Sequence, residues 1–117
     1  MKTQKLAAML LTLALSFGAS QGALAHECSS AIDVIRAEIA AADDLMDRDR
    51  TALDSKAYAA DLKLGDDKPY DALKKLDNIR TKVIALRDAR KTKIDDDDAN
   101  TILDEVYNAE VCIYGTL

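Results

Sequence analysis

The sequence has little of what cofactor binding and covalent catalysis require. Its 117 residues include no tryptophan, one proline, four glycines, two cysteines and one histidine. So little proline and glycine excludes a collagen-like or low-complexity chain, and the length allows no more than one domain. There is no C-x-x-C-H motif for haem, and no helix pairs glutamate with histidine as a di-iron site needs. The single histidine, His26, lies where the export cleavage predicted below would leave the new N-terminus, so no internal histidine is left to activate a serine. We therefore expect a protein that is not an enzyme and has no cofactor.

The charge balance is acidic, with 16 basic and 21 acidic residues and a net charge of −5. An acidic surface repels the phosphate backbone, and no basic stripe interleaved with aromatic residues is present. Nucleic acid is therefore excluded as a partner. The same repulsion disfavours docking on anionic membrane surfaces.

Residues 1–25 have the pattern of an export signal. Lys2 and Lys5 precede an apolar run of 12 residues, 6–17, and the triplet at 23–25 fits an A-x-A cleavage site. The run is too short to span a bilayer, which takes about 20 residues. We expect cleavage to leave one soluble helical domain, residues 26–117, in the periplasm or secreted. That domain has 14 basic and 21 acidic residues and a net charge of −7.

The two cysteines lie near the two ends of this domain. In an oxidising compartment Cys28 and Cys112 are expected to form a disulfide. Closing a loop of about 84 residues contributes roughly 4–5 kcal/mol in the chain-entropy model. The alternatives are a zinc site, for which the chain lacks ligands, and a catalytic thiol, for which it lacks a buried base.

From residue 29 onward the apolar residues recur at steps of three and four, which is typical of amphipathic helices. No segment of useful length alternates between apolar and polar residues. The pattern predicts an all-α fold, a small antiparallel bundle of four helices closed by the disulfide. The four predicted buried faces are Ile32, Ile35, Ile39, Ala42 and Met46; Leu53, Ala57, Ala60 and Leu64; Ala72, Leu76, Ile79, Val83 and Leu86; and Ile102, Val106, Ala109 and Ile113.

Residues that favour helix starts occur before three of these faces. Ser29 and Ser30 are predicted to cap the first helix, because a hydroxyl accepts from the free amides of the first turn. Pro69 fits the first turn of the third helix, where its missing N–H costs nothing. The aspartates at 95–98 are predicted to begin the fourth helix.

Three segments are predicted to separate the helices. Residues 47–50 are all charged and are expected to be a break between the first and second helices. Gly65 is expected to end the second helix, as a residue that reaches the left-handed conformation at little cost. Lys91 and Lys93 are expected to close the third helix, where cations face the negative end of its dipole.

The last three predicted helices share a specific residue pattern: a leucine–lysine–alanine helix, an alanine–leucine–valine helix and an isoleucine-led last helix. The residues that form it are Leu53, Lys56, Ala57, Ala60, Leu64, Gly65, Ala72, Leu76, Ile79, Val83, Leu86, Lys93, Ile94, Ala99, Ile102 and Leu103. This pattern resembles the FIMAH-type helical module, and the resemblance covers residues 32–113. It implies a non-catalytic extracellular module that assists attachment or interaction, with no catalytic residues to transfer. The disulfide bracketing this domain departs from the family's pattern.

Two features suggest metal binding. Asp96, Asp98 and Asn100 have the spacing of the first three ligands of a calcium loop, but the expected glycine and the final glutamate are missing. The simpler interpretation is a helix cap, with Lys91 and Lys93 partly neutralising it. Cleavage after Ala25 would leave His26 as the N-terminal residue, whose amine and imidazole could together bind Cu(II).

The remaining candidates are a binding surface of acids and tyrosines. Asp43, Asp44 and Asp47 are expected on a solvated face, and Tyr58 and Tyr70 as protein contacts. For the tyrosines as a group, partial packing in the core is the expected fate, and interface contact is the alternative.

The sequence therefore predicts an exported, non-catalytic interaction module for an envelope or extracellular protein or a surface component. One alternative is a periplasmic inhibitor or immunity-type protein whose acidic face covers a basic enzyme site. Another is a metal-handling protein that uses His26 for copper.

Overall fold

The structure, a computed structural model, describes the backbone of residues 20–117 and the side chains of residues 28–117. The predicted signal covers residues 1–25; its residues 1–19 lie outside the described residues, and residues 20–25, with the predicted cleavage triplet, belong to the first helix. The described chain forms four helices: α1 (Ser20–Ala41), α2 (Asp47–Gly65), α3 (Pro69–Arg87) and α4 (Asp96–Tyr114). None of them combines the length and hydrophobicity that a membrane-spanning helix needs.

The helices form an antiparallel bundle in which α1 packs on α2 and α4, and α3 packs on the same two helices. Short connections between long helices place consecutive helices side by side in opposite directions. A disulfide joins Cys28 of α1 to Cys112 of α4, whose Cα atoms are 5.6 Å apart. The predicted all-α bundle and its disulfide are confirmed.

The core is built from small and aliphatic side chains, and within residues 28–117 it contains no aromatic ring. All the predicted core positions are buried except Leu64, which packs at the core's edge, and Met46. Met46 was expected on the first buried face but is 51 % exposed, because α1 ends at Ala41 and the helical spacing stops there. Leu45 enters the core in its place, and Ile94 adds a fully buried residue just before α4.

The predicted cap of the first helix is wrong. Because α1 begins at Ser20, Ser29 and Ser30 lie inside the helix, where the amides of the first turn are out of reach. The Ser29 hydroxyl instead donates a hydrogen bond to the carboxylate of Asp61 on α2. Ser29 therefore ties two helices together.

The predicted break at residues 47–50 is also wrong, since these residues are the first turn of α2. Asp47 and Asp49 place negative charge at the positive end of that helix, which favours helix formation there. Asp49 is also buried, and its carboxylate lies 3.3 Å from the ammonium of Lys82 on α3. The charged stretch thus starts a helix and bonds it to a neighbour.

The ends of α2 and α3 differ from the predictions in detail. Gly65 is the last residue of α2 and has a negative φ; the residue in the left-handed region is Asp67, with φ 60°. An aspartate tolerates this conformation better than most residues. The third helix ends at Arg87, so Lys91 and Lys93 lie in the loop beyond it instead of closing the helix. The predicted start of α3 at Pro69 is confirmed.

Candidate functional site

Six aspartates are gathered at one end of the bundle. Asp43 and Asp44 lie in the loop between α1 and α2, and the aspartates at 95–98 lie where α4 begins. Because neighbouring helices run antiparallel, both segments lie at the same end, and the packing of α1 on α4 brings them together. We call these six residues, Asp43, Asp44, Asp95, Asp96, Asp97 and Asp98, the acidic end.

The crowding of these carboxylates is seen at Asp98. Partial burial raises the pKa of Asp98 above its ordinary value, and the negative charges of neighbours in both segments add to the shift. In order of effect those neighbours are Asp95, Asp44, Asp43 and Asp97. A like charge nearby disfavours the ionised form of a carboxyl group. The two segments therefore repel each other in the folded protein.

The acidic end is not neutralised by ion pairs. Within residues 28–117, Arg36 pairs with Asp54, Lys82 with Asp49 and Arg80 with Glu110, but no cation pairs with the acidic end. Lys91 and Lys93, which were expected to neutralise the aspartates at 95–98, form no ion pair with them. Its negative charge is therefore left to solvent or to a partner.

The backbone on each side of the acidic end is anchored. The guanidinium of Arg50 donates to the carbonyls of Ala42 and Leu45, at 2.8 and 3.1 Å, across the loop that carries Asp43 and Asp44. On the other side, fully buried Ile94 holds the chain just before Asp95. The charges are thus presented on a fixed frame.

Asp95 occupies the N-cap position of α4 and has extended backbone angles, φ −63° and ψ 144°. Its side chain makes no capping hydrogen bond in the described residues. Asp96, Asp97 and Asp98 form the acidic first turn, which suits the positive end of the helix dipole. The predicted helix start is confirmed, and the dipole compensates part of the repulsion among these carboxylates.

The other predicted binding residues do not form one surface with these aspartates. Asp47 is fully exposed next to the acidic end and pairs with Arg50 at 2.9 Å. Tyr58 lies along α2, with the Arg36 guanidinium 5.3 Å from its ring centroid. Tyr70 begins α3, at the far end of α2, a helix of 19 residues that is about 28 Å long. The predicted set is therefore divided between the two ends and one side of the bundle.

The expected core packing of the tyrosines is wrong, because all four are between 49 % and 66 % exposed. Tyr107 directly follows buried Val106, and Tyr114 directly follows buried Ile113. One residue turns a helix by about 100°, so each ring points away from the core. The four tyrosine rings are therefore accessible for contact with a partner, which was the alternative to core packing in the sequence analysis.

No metal centre is assembled in the part of the chain whose side chains are described. Asp96 and Asp98 lie close in sequence, but no group of three or more histidine, cysteine, aspartate or glutamate side chains there could hold a metal ion. The side chain of His26, the predicted copper ligand, lies outside the described residues. The metal predictions gain no support from the geometry.

A shallow groove of about 650 Å³ lies between α3 and α4. Arg80 spans it, pairing with Asp77 at 3.0 Å and with Glu110 across the groove. The hydrogen bond that the Arg80 guanidinium donates to the Glu110 carboxylate raises the pKa of Arg80 further, so this cation is fixed. Leu73 and Tyr114 complete the wall. Lys74 and Asn78 also line the groove, beside the ion pairs of Arg80.

In comparisons with known proteins, no family model, no curated protein and no solved structure matches this chain.

Proposed function

We propose that the protein is an exported, non-catalytic interaction module whose acidic end binds a basic surface of an envelope or extracellular protein. The observation that supports this is the meeting of two acidic segments, about 50 residues apart in sequence, with no ion pair to compensate them within residues 28–117.

Uncompensated like charge lowers the stability of a folded domain, and proteins keep such features where function needs them. The raised pKa of Asp98 reflects this repulsion in part. A partner that places lysines or arginines against the acidic end removes the repulsion and gains Coulomb energy in the same contact. Complementary potentials of this kind raise the association rate and select the partner.

The frame around the acidic end also suits binding. Arg50 and Ile94 hold the two segments in place, so little conformational freedom is lost when a partner docks. Export is supported by the signal-like residues 1–25 and by the disulfide, which persists in oxidising compartments. The FIMAH-type resemblance stays a prediction, and it agrees with a non-catalytic extracellular role.

The test is a capture experiment on envelope and culture-supernatant extracts, with the oxidised protein and two triple variants. D43N/D44N/D97N removes three charges from the acidic end. D33N/D66N/D104N removes three exposed charges from other parts of the bundle and is the matched control. We expect one stoichiometric protein that is lost with the first variant, kept with the control and eluted by salt.

Equal retention by both variants, or retention that survives high salt, would contradict the proposal. The inhibitor alternative uses the same acidic end, and it predicts that the captured protein is an enzyme whose activity falls in proportion to binding. Retention on cell-wall or polysaccharide material would favour the attachment role that the resemblance implies.

A further inference from the structure

The distribution of basic residues over helices and loops points to one site for proteolytic processing. Within residues 28–117, every lysine and arginine lies in a helix except Lys68, Arg90, Lys91 and Lys93. A protease binds its substrate in an extended form, so a helical site must first unfold locally. Exposed loops are therefore cut first.

Lys68 is protected although it lies in a turn. The three turn amides, from residues 66–68, all donate to carbonyls of α2, and Pro69 follows directly. The proline ring fixes the backbone after Lys68 and removes the amide that a protease would engage. This leaves the loop between α3 and α4.

That loop, residues 88–95, exposes Arg90, Lys91 and Thr92. Its internal backbone bonds are few: the amide of Asp88 donates to Ile84, and that of Lys93 donates to Leu86 at 3.3 Å. The stretch 89–92 donates no backbone hydrogen bond in the described structure. Two adjacent basic residues thus lie on an exposed and weakly held stretch of chain.

We propose that the bonds Arg90–Lys91 and Lys91–Thr92 are a processing site for a serine protease with a trypsin-like, acidic specificity pocket. Water adds across the peptide bond, leaving a carboxylate on Arg90 or Lys91 and an ammonium group on the next residue. The bond after Lys93 is a poorer site, because Ile94 is fully buried.

The cut chain stays in one piece. The disulfide joins Cys28 on the first fragment to Cys112 on the second. The second fragment also keeps the buried residues of α4, among them Ile102, Val106 and Ile113. Release of α4 therefore requires two events, proteolysis of the loop and reduction of the disulfide.

The chain carries its own control, because a second basic pair, Lys74–Lys75, lies within α3. The two pairs have similar sequence chemistry and differ in structure. We expect trypsin at low concentration to cut the loop pair about tenfold faster or more than the helical pair, since helix opening reduces the population that can be cleaved.

The test digests the oxidised full chain and scores bonds within residues 28–117 by intact mass. We expect one early product heavier by one water per bond cut, which denaturant alone does not separate. Adding a reductant in denaturant should yield two pieces divided at Arg90 or Lys91, whereas uncut protein treated in the same way yields one.

Two variants sharpen the result. R90Q/K91Q should abolish the early product, and K74Q/K75Q should leave it unchanged. First cuts within the helices, equal rates for the two pairs, or separation of the pieces without reductant would each overturn the proposal.

Discussion

Arg50, in the first turn of α2, is expected to stabilise the loop between α1 and α2. Its guanidinium donates to the carbonyls of Ala42 and Leu45 and also pairs with Asp47. The carbonyls at the end of a helix have no partner within that helix, and Ala42 follows the last residue of α1. Replacing Arg50 with alanine removes both of these hydrogen bonds, and the Ala42 carbonyl then keeps only the amide of Leu45, at 3.2 Å.

The magnitude follows from this geometry. Each hydrogen bond from a charged donor contributes about 1.5–3 kcal/mol. The Arg50 side chain is 27 % exposed, so water replaces part of what is lost. Its Nε is buried without a partner in the described structure, an unfavourable feature of about 1 kcal/mol that the substitution removes. We expect R50A to lower the free energy of unfolding by about 2–3 kcal/mol, a fall in Tm of roughly 10–20 °C.

The assay is urea unfolding followed by far-UV circular dichroism, with midpoint and slope fitted separately. The matched control is R48A, the same substitution two residues earlier, at an exposed arginine that forms no ion pair in the described structure. R48A should change the free energy by less than about 0.5 kcal/mol. If R50A and R48A gave the same midpoint, the role assigned to Arg50 would be wrong.

Three further predictions concern the disulfide, a helix end and a salt bridge. Replacing Cys28 and Cys112 by serine should lower the unfolding free energy by about 4–5 kcal/mol relative to the oxidised wild type, and reduction of the wild type should have a similar effect; an unchanged urea midpoint would refute this. Gly65→Ala should raise stability by about 0.4–1 kcal/mol, because φ is negative and nothing lies within 4 Å of the added Cβ; a lower Tm would contradict this. The hydrogen bond from Arg36 holds the pKa of Asp54 below its ordinary value. The ionised Asp54 therefore stabilises the fold above its unfolded-state pKa, and this stabilisation is lost as the pH falls through its folded-state pKa. Urea midpoints of wild type and D54N should therefore differ at neutral pH and converge in acid, and a gap that persists in acid would refute the linkage.

Much of the fold could be predicted from the sequence because helical spacing is local. The positions of Leu76, Ile79 and Val83 identify a buried face without any knowledge of its partner. The same spacing also contained the answer for Tyr107 and Tyr114, since each follows a buried residue and the helix must turn it outward. The helical spacing therefore predicts that Tyr107 and Tyr114 are exposed, and the expectation of core packing was wrong because it did not use this spacing.

The candidate site could be predicted only in part. The four aspartates at 95–98 are conspicuous, but Asp43 and Asp44 join them only when α1 packs on α4. Asp49 looked like part of a charged linker, because its partner Lys82 lies on another helix, 33 positions further along the chain. No local pattern indicates a contact of that range.

The sequence by itself determined the all-helical class, the buried faces and the pairing of Cys28 with Cys112, because apolar spacing and cysteine number are properties of the chain. Only the tertiary structure decided which charges compensate each other and which do not. Arg36, Arg80 and Lys82 pair with acids on neighbouring helices, while the acidic end is left without an ion pair in the described residues. The physical reason is that Coulomb interactions depend on distance in space, and helix packing sets those distances.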